Sequence, residues 1–272
     1  VSNGVREGGI LSPWLYNVYI DDLSKKLSIS NVGCHFYSKC VNHLFYADDS
    51  VLIAPSPMAL KQLIDICENH SKDNEITYND EKTVYMYIGT KHSGHISPVK
   101  QFLGGTELKW VHVKDYLGCF ITSDFKDERD MMRQKRSIYG RGNMIVRKFS
   151  KCSIQVKNQL FRSFISCFYC SPLWKTYSTP TFNMAKVAYN NIYRSLTGVT
   201  QCSISDHFAF NGVDGFTTTL RKMITSLRGR LYKSKNYIIA YIVSSPYFML
   251  NSPLCAKWNR DVFALPNFSV KV

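Results

Sequence analysis

Leu44-Phe45-Tyr46-Ala47-Asp48-Asp49-Ser50-Val51-Leu52-Ile53 sets two adjacent carboxylates between two short apolar runs. Each run has the length and composition of a strand, so the stretch predicts a β-hairpin with Asp48 and Asp49 at its tip. Burying both strands brings the two like charges to one exposed end, where each raises the cost of ionising the other. Two readings follow. One is an ordinary turn, since Asp is a common turn residue. The other is a divalent-cation site, because Mg²⁺ prefers carboxylate oxygens together with substrate phosphates.

Upstream, Gly8-Gly9 permits backbone conformations that residues with a Cβ avoid, and lets a ligand approach closely. Ser12-Pro13 predicts a helix start, with Ser12 as N-cap and Pro13 at the first helical position. Leu11, Leu15 and Val18 follow at helical spacing and predict the buried face, extended by Trp14, Leu23 and Leu27. Lys25 and Lys26 are expected in the last turn, where they complement the helix dipole. A glycine turn thus feeds a helix, and the carboxylate hairpin comes after it.

On these residues the chain resembles the reverse transcriptases of non-LTR, LINE-type retrotransposons. GVREGGILSPWLYNVYIDDL (4–23) is similar to the family motif with a Gly-Val-Arg-Gln-Gly-like turn and a Ser-Pro helix start, and LFYADDSVLI (44–53) to the motif with paired aspartates. Asn79-Asp80-Glu81-Lys82-Thr83 resembles the palm segment that carries a lysine, and Tyr116-Leu117-Gly118-Cys119 the Tyr-Leu-Gly hairpin of the primer grip. Four motifs in order over residues 1–125 are far more specific than a lone Tyr-Ala-Asp-Asp.

The resemblance implies RNA-templated DNA synthesis, with an RNA template, a DNA primer and deoxynucleotides as partners and Mg²⁺ as cofactor. Such enzymes use two metals about 4 Å apart to activate the attacking oxygen and stabilise the leaving one. It implies Asp48 as the main metal ligand, Asp49 as a second, and Tyr46 beside the primer end. Arg6, Glu7, Gly8, Gly9, Ser12 and Pro13 would lie against template or nucleotide. Tyr116, Leu117 and Gly118 would position the primer. Lys82 would sit near the nucleotide phosphates and help protonate pyrophosphate, or else be a surface lysine at a strand start.

The family takes a further metal-binding Asp from a strand before the glycine turn, and that strand and the fingers lie outside these 272 residues. The expectation is a palm and thumb fragment, inactive alone. Asp21 and Asp22, at the end of the first helix, are expected as solvated surface groups rather than substitutes. Glu7 stands where the family has Gln and Gly9 where it has Ser or Cys; an ionised Glu only accepts hydrogen bonds and repels phosphates, so Glu7 is expected to lower activity.

Composition agrees with a nucleic-acid partner. The formal net charge is +14, and Lys and Arg displace counterions from phosphates. The chain is 45% hydrophobic, enough to build a core, and no run approaches the ~20 apolar residues of a bilayer span. The nine cysteines are scattered and odd in number, which argues against a disulfide framework and for an intracellular site, nucleus or cytoplasm. Cys167 and Cys170 form one C-x-x-C in an apolar, helical-looking stretch. Buried thiols are the expectation there, since zinc needs four converging ligands.

Further along, Ser56-Pro57 predicts a helix over Met58–His70, Thr83–Ile88 a strand, 89–101 an exposed loop and Trp110–Ile121 a hairpin. Between Lys126 and Arg162 eleven Lys or Arg face three acids. Val156, Leu160, Phe161 and Phe164 repeat at helical spacing there, as do Val187, Ile192 and Leu196 in a further helix at Ala185–Leu196. Helices are also expected at Thr217–Tyr232 and Asn236–Val243, with Pro246, Pro253 and Pro266 breaking up the end. The expected fold is α+β: a partial polymerase palm over 1–125, a small antiparallel sheet backed by helices; a basic helical thumb over 126–200; and an extension over 201–272 without an assignable role. The rival function is a non-enzymatic nucleic-acid binder that uses the basic thumb.

Overall fold

A computed structural model describes residues 8–89, 99–199 and 203–263. The fold is α+β. The described residues fall into two compact units, one comprising 8–87 with 99–111 and the other 88–89 with 112–199 and 203–263. Arg6 and Glu7 lie outside the described residues, as does most of the loop expected at 89–101.

The first unit opens with helix α1 (Ser12–Ser30), followed by strands β1 (Cys34–Phe36), β2 (Lys39–Val41), β3 (His43–Tyr46) and β4 (Asp49–Leu52). Helix α2 (Pro57–Asp73) and strands β5 (Val84–Tyr85), β6 (Phe102–Leu103), β7 (Thr106–Glu107) and β8 (Lys109–Trp110) complete it. The expected single sheet is a set of separate two-stranded pairs. Three are antiparallel (β1–β2, β3–β4, β6–β7), and β5–β8 is parallel. A lone two-stranded hairpin is marginal in water, so β3–β4 depends on packing. Phe45 and Leu52 turn inward onto a core of Ile20, Leu23 and Leu27 from α1 and Leu63 and Cys67 from α2.

Helix α1 departs from expectation at both ends. It begins at Ser12, with Leu11 in the cap position, so Ser12 and Pro13 are its first two residues. The Ser12 amide donates to the Gly9 carbonyl (3.2 Å), and that tight turn supplies the entry instead of a serine cap. The helix runs past Lys25 and Lys26 to Ser30, closing on Asn31 in the left-handed region (φ 51°). The two lysines pair laterally instead, Lys25 with Asp21 (2.7 Å) and Lys26 with Asp73 (3.8 Å). The buried stripe is Tyr16, Ile20, Leu23 and Leu27, whereas Leu11, Leu15 and Val18 are exposed. Both stripes have helical spacing; the one facing α2 and the hairpin wins.

Asn42, buried between β2 and β3, ties this unit together. Its amide donates to the carbonyls of Leu27 and Val32, both at 2.7 Å. Gly33 makes that approach possible: a Cβ there would fall 2.3 Å from the Asn42 Cβ, and φ is 142°. Helix α2 forms as expected, with Ser56 accepting from the Ala59 amide (3.2 Å) and Leu63, Ile64 and Cys67 turned inward.

The second unit begins with the hairpin β9 (Val113–Tyr116) and β10 (Cys119–Thr122). Helices α3 (Glu128–Phe149), α4 (Ile154–Phe164), α5 (Thr179–Thr197), α6 (Ile204–Phe210), α7 (Phe216–Tyr232), α8 (Tyr237–Ser244), α9 (Pro246–Asn251) and α10 (Pro253–Phe263) follow. Pro246 and Pro253 start helices rather than breaking the chain, as a missing N–H allows at the first position. The core lies between α3, α4 and α5, from Met131, Ile138 and Ile145 through Phe161 to Tyr189, Ile192 and Tyr193. Of the expected apolar faces, Phe161, Ile192 and Leu196 are buried, but Val156, Phe164 and Val187 are exposed. A polar pair replaces them inside: buried Asn158 accepts from the Tyr193 hydroxyl (2.9 Å).

Asp130 is the electrostatic centre of this unit. It is 2% exposed. One carboxylate oxygen accepts from Arg133 Nη2 (2.6 Å) and Nε (2.8 Å) and from the Phe120 amide (3.3 Å); the other accepts from the Trp174 indole (2.7 Å). One side chain therefore joins α3, the β9–β10 hairpin and the segment before α5. No described helix is long and apolar enough to cross a membrane.

Candidate functional site

The carboxylate hairpin is the best-defined site residue group. Pairing His43↔Leu52 and Tyr46↔Asp49 leaves Ala47 and Asp48 as a two-residue loop, with Ala47 at φ 50°. Cross-strand partners share a face, so Asp49 stands beside Tyr46 on the outer face, where Tyr46 is 65% exposed. Asp48 is exposed in the turn, and its charge is felt at Tyr16 of α1. Burial first, and then the fields of Asp48 and Tyr19, push the Tyr16 hydroxyl above the ordinary tyrosine range. The sequence reading missed Tyr16, although its place on the stripe with Ile20, Leu23 and Leu27 signals it.

Behind the hairpin, a neutral histidine holds β3 to α1. His43 Nδ1–H donates to Asn42 Oδ1 (2.7 Å), and its Nε2 accepts from the Ser24 hydroxyl (2.8 Å). Burial pushes its pKa down, consistent with both bonds being made by the uncharged ring. The turn is thus exposed and its base is fixed, as a site on a rigid element requires.

The other expected residues of this unit lie on turns. Gly8 has φ 76° and is exposed; Gly9 accepts the Ser12 amide bond that starts α1. Lys82 sits in a turn organised by Asn79, whose side chain accepts from the Lys82 amide (2.9 Å) and whose carbonyl accepts from Thr83. Its side chain is exposed at the entry to β5.

In the second unit, Tyr116 pairs with Cys119, and Leu117-Gly118 form the two-residue turn, both left-handed at φ 49° and 74°. Such turns suit the twist of a hairpin, and glycine bears that conformation without strain. Cys119 is disulfide-bonded to Cys170 across 51 residues. Buried thiols were expected around Cys167 and Cys170. Helix α4 ends at Phe164, however, so the C-x-x-C lies on a turn, with Cys167 exposed and Cys170 pointing at the hairpin. The same segment presents Tyr169, 69% exposed, 3.8 Å from where a Gly118 Cβ would stand.

Three arginines of the basic stretch share one outer face of α3. Arg129, Arg136 and Arg147 are exposed, on the side opposite buried Met131, Ile138 and Ile145. The arginines span 18 residues, about 27 Å of helix, and none has a carboxylate partner among the described residues. Arg162 is spent on structure: its guanidinium donates to the carbonyls of Asn211 (3.3 Å) and Gly212 (2.9 Å).

Residues 1–121 match the reverse transcriptase (RNA-dependent DNA polymerase) family. The matched segment spans the glycine turn, α1 and the carboxylate hairpin, and ends within β10. Comparison with curated proteins finds no match. Reverse transcriptases of this kind take divalent metals. Asp48 and Asp49 offer the hard oxygen donors that Mg²⁺ requires. Among the described residues no group of three or more His, Cys, Asp or Glu converges. An ion held here would take two carboxylates from this chain and its remaining oxygens from water and substrate phosphates.

Proposed function

We propose that residues 1–125 are part of the palm of a LINE-type reverse transcriptase and that the basic helices over 126–200 are its thumb, with RNA template, DNA primer and deoxynucleotides as ligands. The observation that carries this reading is the hairpin: exposed Asp48 in the turn and exposed Asp49 opening β4, on a buried, hydrogen-bonded base, within the segment that matches the family. In the reaction a primer 3′-hydroxyl, losing its proton, attacks the α-phosphate of a deoxynucleotide; the new P–O bond forms as the bond to pyrophosphate breaks. Asp48 and Asp49 would hold Mg²⁺, which would supply charge neutralisation for the attacking and leaving oxygens.

The chain's own residues position the rest. Asp48 and Asp49 present carboxylate oxygens, Asp49 and Tyr46 from one face of the hairpin. Tyr46, exposed beside them, packs near the primer end. Gly8 and Gly9 let template or nucleotide come close to the start of α1, which Ser12 and Pro13 fix. Lys82 serves the departing pyrophosphate. Tyr116, Leu117 and Gly118 hold the primer strand, and the arginine face of α3 follows the template–primer backbone, where phosphate contacts set register without reading sequence.

The test is paramagnetic. Mn²⁺ added to the isotope-labelled chain should broaden the amide signals of residues 46–50, and Asp48→Ala with Asp49→Ala should remove that broadening. Equal broadening in the variant overturns the metal assignment. A second reading, a binder without catalysis, is favoured by the arginine face of α3; it predicts RNA affinity with an unchanged salt slope in the same variant.

A further inference from the structure

From residue 214 to 261 the chain carries eight Lys or Arg against two acids, Asp214 and Asp261, which pair with Lys222 and with Lys257 and Arg260. This stretch lies wholly outside the segment that matches the polymerase family. Helix α7 sorts these residues by face. Phe216, Leu220 and Ile224 are buried. Lys222, Ser226, Gly229 and Lys233 line the middle of the solvent side, with Arg221 on one flank and Arg230 on the other, all exposed. Lys222 pairs with Asp214 (2.5 Å). Arg221, Arg230, Lys233 and Lys235 have no carboxylate partner among the described residues.

Two tyrosines border this strip. Tyr232, 48% exposed, lies under the Arg228 guanidinium, 5.7 Å from ring centroid to Cζ. Tyr237, 68% exposed, opens α8. The link between the helices is held by its own caps. Ser234 accepts from the Asn236 amide (3.2 Å), and Asn236 accepts from the amides of Ile238 (3.0 Å) and Ile239 (3.2 Å). Lys233, Lys235 and Tyr237 are therefore presented by a pre-organised corner, which lowers the ordering cost of binding.

We infer that the α7–α8 corner is an auxiliary binding surface for single-stranded nucleic acid, with Arg230, Lys233 and Lys235 on phosphates and Tyr237 stacked on a base. Unpaired cations select a polyanion by charge complementarity. An exposed tyrosine such as Tyr237 can stack on unstacked bases, which a duplex does not offer. An anionic membrane fits less well, because an interfacial helix must turn its apolar face outward, and that face of α7 is in the core.

The test is fluorescence anisotropy with the whole chain, in EDTA, using a labelled 20-nucleotide oligouridylate and a 20-base-pair duplex. Binding in EDTA is independent of the Asp48-Asp49 chemistry, so failure of the polymerase reading and failure of this one are distinguishable. Arg230→Gln, Lys233→Gln and Lys235→Gln together should lower the single-strand salt slope by about 2, at ~0.7 per phosphate contact, with an unchanged thermal midpoint. Tyr237→Ala should weaken oligouridylate binding at least ~5-fold and leave duplex binding alone. An unchanged slope in the triple variant overturns the surface. Equal losses for both nucleic acids on Tyr237→Ala, or a loss seen only with phosphatidylserine vesicles, overturn the single-strand assignment.

Discussion

Replacing Asp130 by alanine should destabilise the helical unit more than any other single truncation of a charged residue in it. The wild-type carboxylate takes a two-bond fork from Arg133, the Trp174 indole and the Phe120 amide. Removing one partner of a buried pair costs about 3–5 kcal/mol. The Arg133 side chain is 28% exposed and can recover some hydration, which places its share near the lower end. The indole N–H of Trp174, 3% exposed, has no such escape, and an orphaned buried donor costs about 1–3 kcal/mol. The total is therefore about 4 kcal/mol. At ~2–4 °C per kcal/mol for a unit of this size, the melting midpoint should fall by about 8–16 °C. Differential scanning calorimetry of the whole chain reads this in the transition that carries Trp174 fluorescence. Asp130→Ala with Arg133→Met should recover part of the loss, because the stranded cation goes too. A drop under 2 °C, or no recovery in the double variant, refutes the account of Asp130 as the joint between hairpin and helices.

Other consequences are as direct. Gly33→Ala drives a Cβ into Asn42 at 2.3 Å and should cost the first unit about 2–3 kcal/mol, read as a lower urea midpoint; an unchanged midpoint contradicts the packing described. His43 and His70 are both pushed below the ordinary histidine value, by burial and, for His70, also by the Lys26 charge. The unfolded chain then binds more protons between those depressed values and about pH 6.5. Stability of the first unit should fall as pH drops through that window, and His43→Gln with His70→Gln should flatten the dependence; an unflattened profile contradicts it. Without reductant, peptide mapping should recover Cys119 linked to Cys170, whereas both carrying an alkyl label would refute the pairing.

What the sequence made legible is what short-range pattern encodes. The carboxylate hairpin, the Ser56 cap of α2 and the Leu117-Gly118 hairpin each depend on neighbours a few residues away, and the structure has them there, with the first turn one residue earlier than expected, at Ala47-Asp48, and Asp49 paired in β4. Helix α1 was legible as a helix with Leu23 and Leu27 inward, but the first half of its buried face was not. Two apolar stripes share it, and only the partners α2 and β3–β4 choose Tyr16 and Ile20 over Leu15 and Val18. Long-range chemistry was hidden for a similar reason. Asp130 counts as one acid in a basic run until folding brings Trp174 to it across 44 residues, and Cys119 meets Cys170 across 51. Tyr16 joins the candidate site only because packing sets it within the field of Asp48.

The central claim is that Asp48 and Asp49 are the metal carboxylates of a reverse transcriptase palm. Primer extension on an RNA template tests it most directly, with Mg²⁺ and deoxynucleotides, using the 272-residue chain fused to an upstream reverse transcriptase segment that carries a further metal-binding Asp. The account predicts extension by the fusion and its loss on Asp48→Ala. A fusion that extends equally well with and without Asp48 would contradict it.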